Sequence, residues 1–198
     1  MTVTGVIQAG GKSTRMGGRP KALLDLGGRP IIERVIEAVS ASVDDLLLVT
    51  NTPELYAHLG LPMVADAYPD HGSLGGIFSG LRAAPGAVAF TVACDMPFVH
   101  PEVVRLVVER AGDGDVVVPR VGDQLETLHA AYAKSCLPHI ESRLLAGRFK
   151  IVGFFDAVHV VEVAESEIAR YGDPAVLFMN VNTPDELAHA RAIQAARG

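Results

Sequence analysis

The residues best suited to chemistry lie in two places: a basic, glycine-rich stretch near the amino terminus, and an acid near the middle of the chain. The first runs Gln8-Ala9-Gly10-Gly11-Lys12-Ser13-Thr14-Arg15-Met16-Gly17-Gly18-Arg19-Pro20-Lys21 and packs four glycines and four basic residues, with no acid, into fourteen positions. Glycines let backbone N–H groups crowd around an anion, and the cationic side chains neutralise it. A nucleotide phosphate is the expected ligand, with Arg15 gripping by its fork and Lys21 acting as a point charge. A plain surface turn rich in Gly and Lys is the alternative. The stretch is not a P-loop, because Val6 stands where the opening glycine of that motif belongs. It is not the GxGxxG dinucleotide fingerprint either, since neither Gly10 nor Gly11 is followed by a glycine after one intervening residue.

The acid is Asp95, in Cys94-Asp95-Met96-Pro97, directly after the apolar run Ala87–Ala93. A lone carboxylate at the end of a buried strand is poorly solvated without a partner cation. Mg²⁺ suits such a place, because it is commonly held by one or two carboxylates together with substrate phosphates and water. Capping of the helix after Pro97 is the other reading, although His100 lies nearer that helix start. Asp66 has two readings of equal standing: a ligand to metal or ribose, or a brace for its own loop. The seven histidines show no metal-ligand spacing, and Cys94 reads as a small packing residue. No Ser/His or Cys/His arrangement suggests a nucleophile.

These groups need elements to hold them. Val3–Ile7 reads as a buried first strand, followed by a helix over Ile32, Val35, Ile36 and Val39 that opens at Pro30. Leu46–Val49 reads as a strand, Pro53–His58 as a short helix, and Met63–Ala65 as a third strand. A helix beginning near Leu74 carries Gly75, Gly76 and Gly80 in its first turns, a cost accepted where a backbone or ligand must approach closely. Ala87–Ala93, Val116–Val118, Leu128–Tyr132 and Val158–Val163 read as further strands. Helices follow His100 and cover about Leu137–Leu145. Thr183-Pro184-Asp185-Glu186 is a capping box with proline at N1, opening a closing helix that presents Leu187, Ala190 and Ile193.

Alternating strands and helices with uninterrupted apolar strands predict an α/β fold: a three-layer, Rossmann-like, mostly parallel sheet with helices on both faces. Ligands of such sheets bind beyond the carboxyl ends of the strands. The segments Gln8–Lys21, Asp66–Ser73 and Cys94–Pro97 should therefore converge on one crevice.

At 198 residues, a single domain spanning 1–198 is expected. A formal net charge of −6 argues against a nucleic-acid surface and points the local basic cluster toward a small anionic ligand. No run of 18 apolar residues and no charged-then-apolar amino terminus is present, so neither a membrane partner nor secretion is expected. Two widely separated cysteines fit reduced thiols and a cytoplasmic location.

Taken together, these residues resemble the molybdenum cofactor guanylyltransferases, a branch of the nucleotidyltransferases. The resemblance is carried by Ala9–Gly18 with Lys21, Gly72-Ser73-Leu74-Gly75-Gly76, Cys94-Asp95-Met96-Pro97 and Asn180-Val181-Asn182-Thr183-Pro184. It implies the nucleotide-diphospho-sugar transferase type of fold and an enzyme that joins the GMP moiety of GTP to the terminal phosphate of molybdopterin, releasing pyrophosphate. By motif, Ala9, Gly10 and Gly11 would border the guanine nucleotide. Arg15, Gly18 and Lys21 would handle its phosphates, Asp66 would sit near the ribose, and Asp95 would bind Mg²⁺. Asn180 and Asn182 would face the pterin, with Gly76 lining the pocket and Lys150 at the pterin phosphate. Lys150 stands where the family often has an arginine, and Gln8 where leucine is usual. Transient contact with proteins that make or receive the cofactor is also implied. CTP as the donor, a sugar phosphate as the acceptor, and a nucleotide-binding module without turnover are the alternatives.

Overall fold

Val3-Thr4-Gly5-Val6-Ile7 offers apolar or small side chains to both faces, and it forms an interior strand, β1 (Val3–Gln8), of a sheet covered on both sides. The computed structural model describes residues 1–10 and 20–197. After β1 come α1 (Ile31–Ser40), β2 (Asp45–Val49), β3 (Met63–Val64), α2 (Gly72–Ala83) and β4 (Val88–Ala93). Then follow α3 (Pro101–Glu109), β5 (Val116–Val121), β6 (Gln124–Leu125), β7 (His129–Ala133) and α4 (Leu137–Leu145). The chain continues with β8 (Val160–Val163), the short α5 (Glu165–Ile168) and α6 (Pro174–Leu177), and the closing α7 (Pro184–Arg197).

The strand order is β3-β2-β1-β4-β7-β5-β6, with β8 beside β5. β1 pairs in parallel with β2 (Val6 opposite Leu47) and with β4 (Val6 opposite Thr91). One apolar layer packs α1, α3 and α7 on one face, and a second packs α2 and α4 on the other. The mostly parallel α/β sheet expected from the strand–helix alternation is therefore present.

Two features depart from the expected pattern. β7 runs antiparallel between β4 and β5, with Val92 opposite His129 and Val116 opposite Tyr132. A two-residue hairpin reverses the chain first: Gly122, at φ 54°, and Asp123 join Val121 to Gln124. In addition, Pro53–His58 is two 3₁₀ turns, Pro53–Leu55 and Ala57–Leu59, rather than one short helix. The left-handed Gly60 ends the second turn.

The glycines of α2 are explained by proximity. A Cβ on Gly75 would come within 2.8 Å of Tyr68 O, and one on Gly80 would overlap Val6 Cγ1 and reach 3.1 Å from Val49 Cγ2. This spacing lets α2 lie close over β1, where its first turn faces the carboxyl ends of the strands. Gly80→Ala is expected to cost about 1–3 kcal/mol through overpacking in this buried seam, despite alanine's better helix propensity. Urea unfolding of the two proteins checks it, and an equal or raised midpoint in the variant would refute the close-packing account.

Candidate active site

The carboxyl ends of β1, β2 and β4 and the start of α2 enclose a cleft of about 680 Å³. Ala9, Gly10, Lys21, Asp66, Gly76 and Asp95 all line it, so the described residues of the three segments expected to converge do so. Gly11, Arg15 and Gly18 lie outside the described residues.

Lys21 opens a 3₁₀ turn, Lys21–Leu23, that packs beside α1 and buries Ala22. Its Nζ donates to Asn182 Oδ1 at 2.6 Å and lies 3.8 Å from Asp95 Oδ2. The ammonium thus joins two motifs that are 161 residues apart on one side and a strand-end acid on the other. Both side chains of the ion pair are mostly shielded, at 24% exposure for Lys21 and 15% for Asp95. Burial raises the Asp95 carboxyl above its usual range, while the Lys21 charge and a backbone hydrogen bond oppose that rise; the charge of Glu186 adds to it. An acid that is costly to ionise where it stands favours an added cation.

Asp95 is not a helix cap. His100 holds that position, its Nδ1 accepting from Glu102 N at 3.2 Å. The Asp95 carbonyl instead accepts from Val181 N at 2.9 Å, which ties the acid's loop to the Asn180–Asn182 run. That run is fixed from its other end by the expected capping box. Glu186 N donates to Thr183 Oγ1 at 3.2 Å, and the Glu186 carboxylate accepts from Thr183 N at 2.9 Å and Asn182 N at 2.6 Å. Asn182 is thereby presented to Lys21.

Asp66 lines the cleft and also braces its own loop. Its Oδ1 accepts from Tyr68 N at 2.9 Å and lies 3.1 Å from Ser79 Oγ. Its backbone N–H donates to Asn51 Oδ1 at 2.9 Å. Gln8, at the end of β1, spans to the first turn of α2, where its amide donates to Ser73 O and accepts from Ile77 N, each at 3.3 Å. A Cβ on Gly76 would strike this amide, so glycine there leaves room for Gln8 as well as for the cleft.

Asn180, Asn182 and Lys150 are not among the lining residues, and Asn182 meets the cleft only through Lys21. Asn180 Nδ2 donates to Phe178 O at 3.2 Å, and Lys150 is exposed. The neighbour of Lys150, Phe149, stacks edge-on against His71 at 4.6 Å, which brings this loop to the outer side of the Asp66–Ser73 segment. Cys94 is buried, and desolvation pushes its thiol well above the ordinary range, as fits a packing role.

Sequence reasoning missed one wall entirely. Thr50, Asn51, Thr52, Leu55 and Tyr56 follow β2 and line the cleft. Thr52 N donates to Thr50 Oγ1 at 3.1 Å, a local turn that aims the segment inward. The available signal was its position: β2 ends on the same edge of the sheet as β1 and β4.

Known proteins are similar to this one over almost the full chain. A protein of Desulfosudis oleivorans named molybdenum cofactor guanylyltransferase is 39% identical over 197 residues, covering 98% of each chain. One of Pelotomaculum thermopropionicum, named a probable molybdenum cofactor guanylyltransferase, is 39% identical over 193 residues, covering 98% of this chain and 94% of its own. Among solved structures, molybdopterin-guanine dinucleotide biosynthesis protein A from Archaeoglobus fulgidus superposes with a TM-score of 0.85 at 28% identity, covering 98% of this chain and 99% of that one. The model of the MobA-like NTP transferase domain matches residues 5–163, which include the cleft's Gln8–Gly10, Lys21, Asp66 and Asp95, and the chain belongs to that family.

Proposed function

We propose that this protein transfers the GMP moiety of GTP to the terminal phosphate of molybdenum-bound molybdopterin, with release of pyrophosphate. The observation that supports this reading is Lys21 Nζ, which stands in the cleft beside Asp95 and is hydrogen-bonded to Asn182, because a cation so held would lie between the motifs we assign to donor and acceptor. The names of the full-length relatives support the choice of donor and acceptor.

In this reaction an acceptor phosphate oxygen forms a bond to the α-phosphorus of GTP as the bond from that phosphorus to the α,β-bridging oxygen breaks. Pyrophosphate leaves with that bond's electron pair. The attacking oxygen is already ionised near neutral pH, so no general base is required. What the site must supply is in-line positioning and cancellation of charge. Lys21 neutralises the α-phosphate and the departing group, with Arg15 and Gly18 acting on the same phosphates. Ala9, Gly10 and Gly11 border the guanine nucleotide, and Asp66 lies on the ribose side. Asn182, Asn180, Gly76 and Lys150 serve the pterin and its phosphate.

The donor set also suits Mg²⁺. Among the described residues no three His, Cys, Asp or Glu side chains gather to hold a metal alone, but Asp95 offers one carboxylate beside the space for a triphosphate, which completes such a shell with water. When bound there, the ion supplies Lewis-acid charge stabilisation. No described helix is long and apolar enough to cross a membrane. We place the reaction in the cytoplasm, with the product passed on by transient contact with proteins of cofactor synthesis or use.

Pyrophosphate release measured with GTP, CTP, ATP and UTP, with and without molybdopterin, tests the proposal. Release only with GTP and only when molybdopterin is present is the expected result. Release with CTP in place of GTP, or with a sugar phosphate in place of the pterin, would reassign the donor or the acceptor. GTP binding without any release would make this a binding module.

A further inference from the structure

A second hollow, of about 300 Å³, lies between α4 and the 3₁₀ helix Ile151–Ala157 and shares no lining residue with the cleft. Its polar walls are His139, Ser142, Arg143 and Arg148. The first three fall three and four residues apart on α4 and so share one face of it. Arg148 joins them because the helix ends at Gly147, with φ 66°, and Arg148 N donates back to Arg143 O at 2.9 Å.

What these groups lack is an acceptor. Arg143 Nη1 donates to Gly153 O at 2.8 Å, but its Nε is buried without a partner. The guanidinium lies so close to Gly153 that a Cβ there would overlap it, so glycine at that position leaves room for the arginine. Among the described residues, the Arg148 guanidinium and the His139 ring make no hydrogen bond, and neither arginine pairs with an acid. The neighbouring acids are held elsewhere. Tyr68 Oη donates to Glu141 Oε1 at 3.5 Å, and Ser135 Oγ and His159 N donate to Asp115. Asp156 is exposed and does not line the hollow. Two unpaired guanidinium groups thus meet with no lining acid, in a chain whose formal net charge is −6.

We propose that this hollow is a second anion site, which takes the terminal phosphate group of a small molecule. Forked guanidinium groups suit carboxylates and phosphates alike. The number of donors decides between them. Two guanidinium groups, an imidazole and a hydroxyl call for an acceptor with three free oxygens, and a phosphate supplies these with about two negative charges. A volume at the low end for ligand pockets limits the occupant to little more than that group. The site stands whether or not the cleft takes GTP, because the two have no wall in common.

Inorganic phosphate titrated into the isotope-labelled whole chain at constant ionic strength is the test. Backbone amide shifts of Gly153 and Ala157 report the hollow, and those of Gly10 and Gly76 report the cleft. Gly153 and Ala157 should follow one saturating curve. Arg148→Gln should weaken that curve about tenfold and leave the Gly10 and Gly76 response as in the wild type. Glycerol 3-phosphate should match phosphate at the hollow, and acetate should bind there about tenfold more weakly. Shifts confined to Gly10 and Gly76, an unsaturable drift at Gly153 and Ala157, or a curve that Arg148→Gln leaves unchanged would each refute the site. Acetate equal to phosphate would overturn the choice of anion, and no response to glycerol 3-phosphate would overturn the small-molecule occupant. Arg148 is exposed and unpaired, so its substitution should not move the melting temperature. A lowered melting temperature with an unchanged phosphate curve would make it a structural cation instead.

Discussion

Asp95→Asn is expected to lower GMP transfer by about 10³-fold or more, while the variant melts at the same temperature as the wild type or higher. The size of the kinetic loss follows from the task assigned to the carboxylate. Removing the anchor for a Lewis-acidic cation withdraws about 4 kcal/mol of transition-state stabilisation, and each 1.36 kcal/mol is tenfold in rate. The direction of the stability change follows from burial. The folded-state carboxyl titrates above its unfolded value. The folded protein therefore holds that proton more tightly than the unfolded chain does, and stability falls as pH rises through the interval between the two values. At neutral pH the ionised group stands in an environment that disfavours its charge, offset in part by Lys21 at 3.8 Å. Asparagine keeps the shape and removes the charge. Pyrophosphate release and thermal melting at pH 7 check both halves, with melting repeated in the presence of GTP and Mg²⁺. The wild type should gain stability from the added ligands and the variant little. Near-normal transfer by the variant would take Asp95 out of the reaction; a large drop in melting temperature without ligand would make it a structural acid.

That trade between function and stability was partly legible in the sequence. A carboxylate at the end of seven apolar or neutral residues, Ala87–Ala93, has few explanations, and the strand-end rule for α/β sheets groups it with Gly10 and Lys21. The capping box at Thr183 and Glu186 was legible for a local reason, because its residues are adjacent and its chemistry is short-range. The hydrogen bond from Lys21 to Asn182 was not readable from residue chemistry, since nothing local links positions so far apart. Only the resemblance to a family put both residues in one site.

The direction of β7 was missed for a different reason. His129-Ala130-Ala131-Tyr132 is as apolar as a parallel core strand, and burial on both faces erases the alternation that marks many antiparallel strands. The evidence for reversal was the Gly122-Asp123 pair between Val121 and Gln124, a two-residue turn flanked by strand-forming residues. The wall Thr50–Tyr56 was not legible because Pro53 signals only a turn of the backbone, while the side chains of Asn51 and Tyr56 give no sign of their direction in one dimension.

The same antiparallel strand makes the protein acid-sensitive. His129 is buried, with neither ring nitrogen hydrogen-bonded among the described residues, and its ring sits edge-on to Phe90 at 5.0 Å and to Phe178 at 5.1 Å. Burial alone lowers its pKa from 6.5 to about 3. The unfolded chain thus binds a proton between those values that the folded chain refuses. The contribution of this residue to stability is complete above pH 6.5 and is lost as pH falls through the interval. By pH 5 the loss is about 2 kcal/mol, or about 4–8 °C in melting temperature for a chain of this size. His129→Leu should remove this part of the pH dependence. At pH 7 it should leave stability level or raised, since two unpaired buried nitrogens are replaced by apolar surface of similar volume. Melting curves of both proteins from pH 7.5 to pH 5 decide the matter, and parallel falls in the two would refute the assignment. The consequence reaches the cleft, because Phe178, packed on this imidazole, accepts the Asn180 amide hydrogen bond two residues before Asn182 meets Lys21. Because the folded protein keeps this imidazole neutral down to about pH 3, the acid acts by unfolding the chain, so melting and loss of transfer on acidification should follow one pH dependence in the wild type and shift together in His129→Leu.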